Sequence, residues 1–186
     1  MVDQVWIALL RGINLGSRNR VPMAGLRQVF EEAGCESVVT YIQSGNVVFV
    51  KKASDRGALA RKLEQAVRNG FDVPAAVVLR TSGELAKVVD SHPFGRDTSH
   101  SAVTFLTEKP GRAAVRRLEA LDIAPDRFEV VGSDVFLHYP NGFQGARLTG
   151  ALLERHLGVA GTARNWRTVA RLAELAKERA AGIEPA

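Results

Sequence analysis

The chain has almost no sulfur chemistry available to it. Its 186 residues contain one cysteine, Cys35, which excludes an internal disulfide and with it the disulfide-stapled secreted scaffolds. A multi-cysteine zinc site is excluded by the same count. The histidines, His92, His100, His138 and His156, form no i, i+4 pair and no H-E-x-x-H helix, so no metal centre is expected. Long apolar runs are missing as well. Residues 5–10 make an apolar run of only six, far short of the ~20 residues that cross a bilayer. The start, Met1-Val2-Asp3-Gln4, lacks the basic region of a signal peptide. A cytoplasmic protein with no membrane partner is expected. Carboxylates show no pairing suited to acid–base work, Ser44 sits in no G-x-S-x-G elbow, and Cys35 has no activating neighbour. No catalytic residue can therefore be named.

What is present describes an ordinary globular protein: 46% hydrophobic and 24% charged residues. A chain of this length buries roughly 70% of its unfolded surface without staples. Basic residues outnumber acidic ones 25 to 20, a net charge of +5, and the isoelectric point is about 9.8. That balance suits a polyanionic partner. A net charge this modest more often serves plain solubility.

Residues 5–11 read as a buried strand, and Pro22 opens a helix with Met23, Leu26, Phe30 and Ala33 on one stripe. Residues 37–43 and 47–50 are the arms of a hairpin turning at Ser44-Gly45-Asn46. A helix capped by Ser54 or Asp55 and closed by Gly70 follows, then a strand over 75–80. This β-α-β-β-α-β order is that of a ferredoxin-like unit. The second half repeats the grammar: a short helix over 81–89, a strand over 102–107, a helix opened by Pro110, and strands over 128–131 and 135–139. Helices over 149–157 and 165–181 complete it. The fold class is α+β with two ferredoxin-like (α/β-plait) subdomains, divided as 1–81 and 82–186. Residues 182–186 are expected to fray.

Three polar segments stand out. Residues 11–20 leave a strand and enter a helix with three arginines, two glycines, two asparagines and no acid. Arg11, Asn14, Asn19 and Arg20 are suited to gripping phosphate or carboxylate oxygens; a solvated turn would use the same residues. The loop is neither a G-x-G-x-x-G fingerprint nor a Walker A loop, and no cofactor is expected. The hairpin contributes Gln43, Ser44 and Asn46, although Gly and Asn are also what a tight turn demands. The third segment holds Arg164 and Asn165 beside Trp166. Arg164, Arg167 and Arg171 fall around the first turns of the last helix, where cations oppose the helix dipole and a bound anion would offset them. A capped amphipathic helix anchored by Trp166 is the plainer alternative.

Leu9-Leu10-Arg11-Gly12-Ile13-Asn14-Leu15-Gly16, Val21-Pro22-Met23 and residues 41–49 together resemble the opening of a widespread bacterial family of uncharacterised function. Tyr139-Pro140-Asn141-Gly142, Leu148-Thr149, Leu157-Gly158 and the T-x-R-N-W run ending at Trp166 resemble its C-terminal half. The sequence departs from the family's usual pattern at Ala163 and Arg147. The resemblance implies two α/β-plait subdomains and no particular reaction, cofactor or catalytic residue. It also implies that the polar segments are the family's recognisable motifs.

Three functions compete. The first is a binding module for nucleic acid or another phosphate-bearing ligand. The second is an enzyme acting on a small anionic metabolite or nucleotide. The third is an interaction protein with neither pocket nor basic face. The first ranks highest. It predicts that residues 11–20, 44–46 and 164–166 meet at one surface, which demands that the first loop fold across the sheet edge to reach the hairpin turn.

Overall fold

The computed structural model describes residues 3–52, 54–95 and 97–182; residues 183–186 of the tail expected to fray lie outside them. The first half runs β1 (Asp3–Arg11), α1 (Met23–Glu32), β2 (Glu36–Tyr41), β3 (Asn46–Lys52), α2 (Arg56–Phe71) and β4 (Ala76–Thr81). Its sheet has the order β2-β3-β1-β4 with antiparallel neighbours throughout. After α3 (Ser82–Asp90) come β5 (Ser101–Leu106), α4 (Arg112–Glu119), β6 (Arg127–Val131), β7 (Asp134–His138), α5 (Gly150–Leu157) and β8 (Gly161–Asn165). This second sheet is ordered β6-β7-β5-β8 and is likewise antiparallel. Helix α6 (Trp166–Ala181) closes the chain. Both halves thus carry the α+β, ferredoxin-like order. By its contacts the chain forms two compact units, residues 1–86 with 171–186, and residues 87–170. No helix among the described residues is long and apolar enough to cross a membrane.

Each unit has its own core. In the first, Trp6, Ala8 and Leu10 of β1 meet Leu26 and Phe30 of α1 and Leu59, Leu63 and Val67 of α2. Phe30 and Phe49 cross edge to face, 5.5 Å apart. Val5, Ile7 and Leu9, the alternate set of β1, are buried too. That explains why this strand reads as one continuous apolar run rather than an alternation. In the second unit, Leu106, Val135 and Leu137 pack with Leu118 of α4 and Leu153 and Leu157 of α5.

Several boundaries differ from expectation for definable reasons. Asp55 caps α2 by accepting from the Ala58 N–H, but Gly70 does not end it. The helix continues to Phe71, and Asp72 takes the left-handed conformation at φ 54°. A Cβ on Gly70 would lie 2.9 Å from Val29, so this glycine serves the close approach of α1 to α2. Strand β8 was not expected. Its buried positions are Thr162 and Arg164, and its exposed ones Ala163 and Asn165, an inversion of the usual apolar-in alternation. The segment just before the last helix is therefore a strand paired with β5, with Val103 opposite Arg164, and the helix itself begins within one residue of the expected position.

Candidate functional site

Antiparallel pairing of β1 with β3 sets Leu9 opposite Asn46. The end of β1 therefore lies beside the hairpin turn with no need for a loop to cross the sheet edge. The Leu10 N–H donates to the Gly45 carbonyl at 2.8 Å, directly across that junction. Gly45 has φ 76°, and a Cβ there would fall 2.5 Å from Ile13 Cδ1 and 2.9 Å from Leu10 Cβ. Only glycine fits both the conformation and the space.

Asn14 ties this junction together. Its Nδ2 donates to the Gln43 carbonyl at 2.8 Å and to the Val21 carbonyl at 3.0 Å, while its Oδ1 accepts from the Val21 N–H at 2.8 Å. Its own N–H donates to the Asn19 carbonyl, and Asn19 Nδ2 donates back to the Gly12 carbonyl. Both asparagines are left-handed, at φ 51° and 52°, a conformation Asn adopts at little cost. In the turn, the wholly buried Asn46 donates from Nδ2 to the Tyr41 carbonyl and to Ser44 Oγ, both at 2.9 Å. Asn14, Asn19 and Asn46 are thus building members of the site, holding its backbone.

These bonds frame a cleft of about 410 Å³ lined by Asn14, Gly16, Arg20, Val21, Pro22 and Gln43. Its volume lies within the range of small-molecule pockets. Among the described residues Arg20 is the one cation that lines it, and no carboxylate does. Val21 and Pro22 lead into α1, whose N-terminus has no side-chain cap and no acid in its first turn. Amides there are ordinarily orphaned and favour negative charge. Of the residues expected at a ligand, Arg20 and Gln43 have exposed side chains on this cleft. Ser44 is exposed on the adjoining turn, and Arg11 is the half-buried last residue of β1. Sequence reasoning passed over Val21 and Pro22 as lining. It also passed over Ile42, which sits at φ 50°. For a β-branched residue that conformation costs roughly 1–2 kcal/mol.

Arg164 and Asn165 belong to the second unit. Arg164 is buried in β8 and donates to Thr162 Oγ1 at 2.7 Å and to the Ala163 carbonyl at 2.8 Å. Burial lowers its guanidinium pKa to about 10. Asn165 caps α6 by accepting from the Thr168 N–H at 2.9 Å. Trp166 is half-buried, its ring 4.3 Å from that of His92.

Cys35 and Ser101 are both buried. Burial pushes the Cys35 thiol up to about 11, against the pull of Lys51 and Lys62. Ser101 Oγ lies 3.2 Å from His138 Nδ1, but Ser101 is only 1% exposed and out of reach of a substrate. Among the described residues no three His, Cys, Asp or Glu side chains gather as metal ligands.

No curated protein matches the chain. Among solved structures it is similar to the conserved bacterial protein SP0830 from Streptococcus pneumoniae, with 25% identity and a TM-score of 0.74. That likeness covers 95% of this chain and 99% of the other. The T-x-R-N-W run lies beyond the stretch matched by the family profile. That stretch, residues 4–136, runs from β1 into β7 and includes both the Asn14 junction and the hairpin turn, and through it the chain belongs to the family described as "Protein of unknown function (DUF1697)".

Proposed function

We propose that the protein is a cytoplasmic binding module for a phosphate-bearing ligand, a nucleic acid or a nucleotide, seated in the cleft between residues 12–22 and the hairpin turn. The observation that carries this reading is the lining: one arginine, two carboxamides and no carboxylate, at the uncapped start of α1. Arg20 supplies a charged fork for phosphate oxygens, and Gln43 supplies neutral donors beside it. The concave shape also favours a small anionic ligand, which is the ground for the second reading, an enzyme acting on an anionic metabolite or nucleotide. Binding ranks above catalysis because no Ser, Cys, His, Asp or Glu lines the cleft.

Fluorescence anisotropy with a labelled single-stranded oligonucleotide and calorimetry with a nucleoside monophosphate test the reading. Both affinities are expected to fall as salt rises from about 50 to about 200 mM, more steeply for the oligonucleotide. Arg20→Ala is expected to weaken both by roughly 1.5–3 kcal/mol, the range for a lost charged hydrogen bond, with the melting temperature unchanged. Salt-independent binding, or an Arg20→Ala variant that binds as the wild type does, would defeat it.

A further inference from the structure

Two large apolar side chains stand exposed next in sequence to the residues that line this cleft. Leu15 is 59% exposed and Ile42 is 48% exposed, two of the four large hydrophobic side chains so exposed among the described residues. Each stands next in sequence to lining residues: Leu15 between Asn14 and Gly16, Ile42 before Gln43. The hydrogen bond from Asn14 Nδ2 to the Gln43 carbonyl holds the two segments against each other. Leu15 is presented by a tight turn in which its carbonyl accepts from the Arg18 N–H at 3.0 Å. Ile42 is held at φ 50°, where Asn or Gly would sit without strain, and its exposure returns little burial for that strain. Two exposed apolar side chains, one of them on a strained backbone, are therefore carried by the same two segments that line the cleft, and the one charged residue among the lining residues is Arg20.

We propose that Leu15 and Ile42 form a seat for a nucleobase, making the ligand of this cleft a nucleoside 5′-phosphate, either free or as one unit of a single strand. The proposal rests on the anion-binding reading of the cleft. Inorganic phosphate and sugar phosphates have no planar apolar face to offer these two side chains. An acyl chain has no polar edge for the Gln43 carboxamide to meet. A base is planar, apolar on its faces and polar at its edge. Its faces can meet the two side chains, while the Gln43 carboxamide, which both donates and accepts, reaches its edge and Arg20 takes the phosphate.

The test uses the full chain and calorimetry with adenosine 5′-monophosphate, ribose 5-phosphate and inorganic phosphate. Adenosine 5′-monophosphate is expected to bind about tenfold more tightly than ribose 5-phosphate, a difference of about 1.4 kcal/mol. The double variant Leu15→Ser/Ile42→Gly is expected to erase that preference, leave ribose 5-phosphate affinity unchanged and melt no lower than the wild type. Ile42→Asn, which also tolerates the left-handed backbone, is expected to lose part of the preference and guards against a folding defect in the double variant. Equal affinities for the two phosphates in the wild type, or a preference surviving in both variants, would overturn the seat. If ribose 5-phosphate still binds and depends on Arg20, the anion site stands without it. If none of the three binds, the anion site and the seat fall together. A short single-stranded oligonucleotide binding far more tightly than the mononucleotide identifies the strand as the source of the nucleotide unit; equal binding identifies the free nucleotide.

Discussion

The two units use the same strand order, β2-β3-β1-β4 and β6-β7-β5-β8, and differ in their connections. Between its first strand and first helix, the first unit inserts residues 12–22, whereas the second needs only residues 107–111. The first hairpin turns through residues 42–45 with Ile42 and Gly45 left-handed; the second turns at Gly132-Ser133 with Gly132 alone at positive φ. The second unit places its long connection elsewhere, over residues 139–149 between β7 and α5. That connection is bolted shut. The Asp126 carboxylate accepts from the Arg147 and Leu148 N–H groups at 2.6 and 3.0 Å, and the Tyr139 hydroxyl donates to the Leu148 carbonyl at 3.0 Å. Burial, with the Asp126 charge adding to it, raises the Tyr139 phenol to about 12, so it stays a donor. One sheet architecture therefore carries two kinds of long connection. One is clamped by carboxamides around a cleft and the other is fastened by a buried carboxylate. A sheet of this kind is a scaffold, and its loops decide what it binds.

The comparison breaks most sharply at glycine. Gly45→Ala should cost about 2–4 kcal/mol, combining left-handed strain with overpacking against Ile13 and Leu10. Gly158→Ala, at φ 70° with nothing within 4 Å of its Cβ, should cost only about 1–2 kcal/mol. Urea unfolding of the two variants checks this, and equal losses would mean that the first junction is not tightly fitted.

The fastening of the second connection gives the next effect. Asp126→Ala leaves two backbone N–H groups without their carboxylate and should cost about 2–3 kcal/mol. Amide exchange at Arg147 and Leu148 should quicken while the amides of Val21 and Leu10 in the first unit keep their protection. A uniform rise in exchange would show that Asp126 supports the whole chain and not one loop.

The smallest expected effect is on pH dependence. Burial lowers the His92 pKa from 6.5, against a hydrogen bond with the Gly95 carbonyl, and His138 lowers it further. The unfolded chain then takes up a proton at His92 before the folded one does, so stability is full above about pH 6.5 and falls as pH drops below it. In the first unit, burial alone would raise the Glu84 carboxyl, but the Arg56 guanidinium and the Thr81 N–H outweigh it and hold its pKa below 4.5. Its contribution is present above about pH 4.5 and is lost only in stronger acid. Melting temperature should therefore decline in two steps, and His92→Phe should remove only the one that begins below about pH 6.5. A wild type that declines only below pH 4.5 would contradict this.

Much of this was legible in the residues. The apolar run of β1, the Pro22 helix start and the Asp55 cap are local signals, readable within one or two turns of chain. So is the Thr81 and Glu84 pair that caps α3, where each side chain accepts from the other's N–H. Strand β8 was hidden because it buries Thr162 and Arg164, and no periodicity of apolar residues marks such a strand. Gly70 misled because a glycine needed for helix contact and a glycine that ends a helix are the same letter.

The amino-acid sequence by itself determined the order of every element but β8, the two ferredoxin-like halves and the concentration of Arg, Asn and Gly in a few segments, because these rest on near-neighbour chemistry. Tertiary structure decided what those polar residues do. Asn14 clamps and Arg20 faces the cleft because the partner of Asn14 lies 29 residues away at Gln43, across a strand register that no local pattern specifies. Arg164 is buried in a strand and does not stand in the first turn of a helix because β5 pairs with it. A hydrogen bond is chosen by distance in space, and that distance exists only once the sheets have formed.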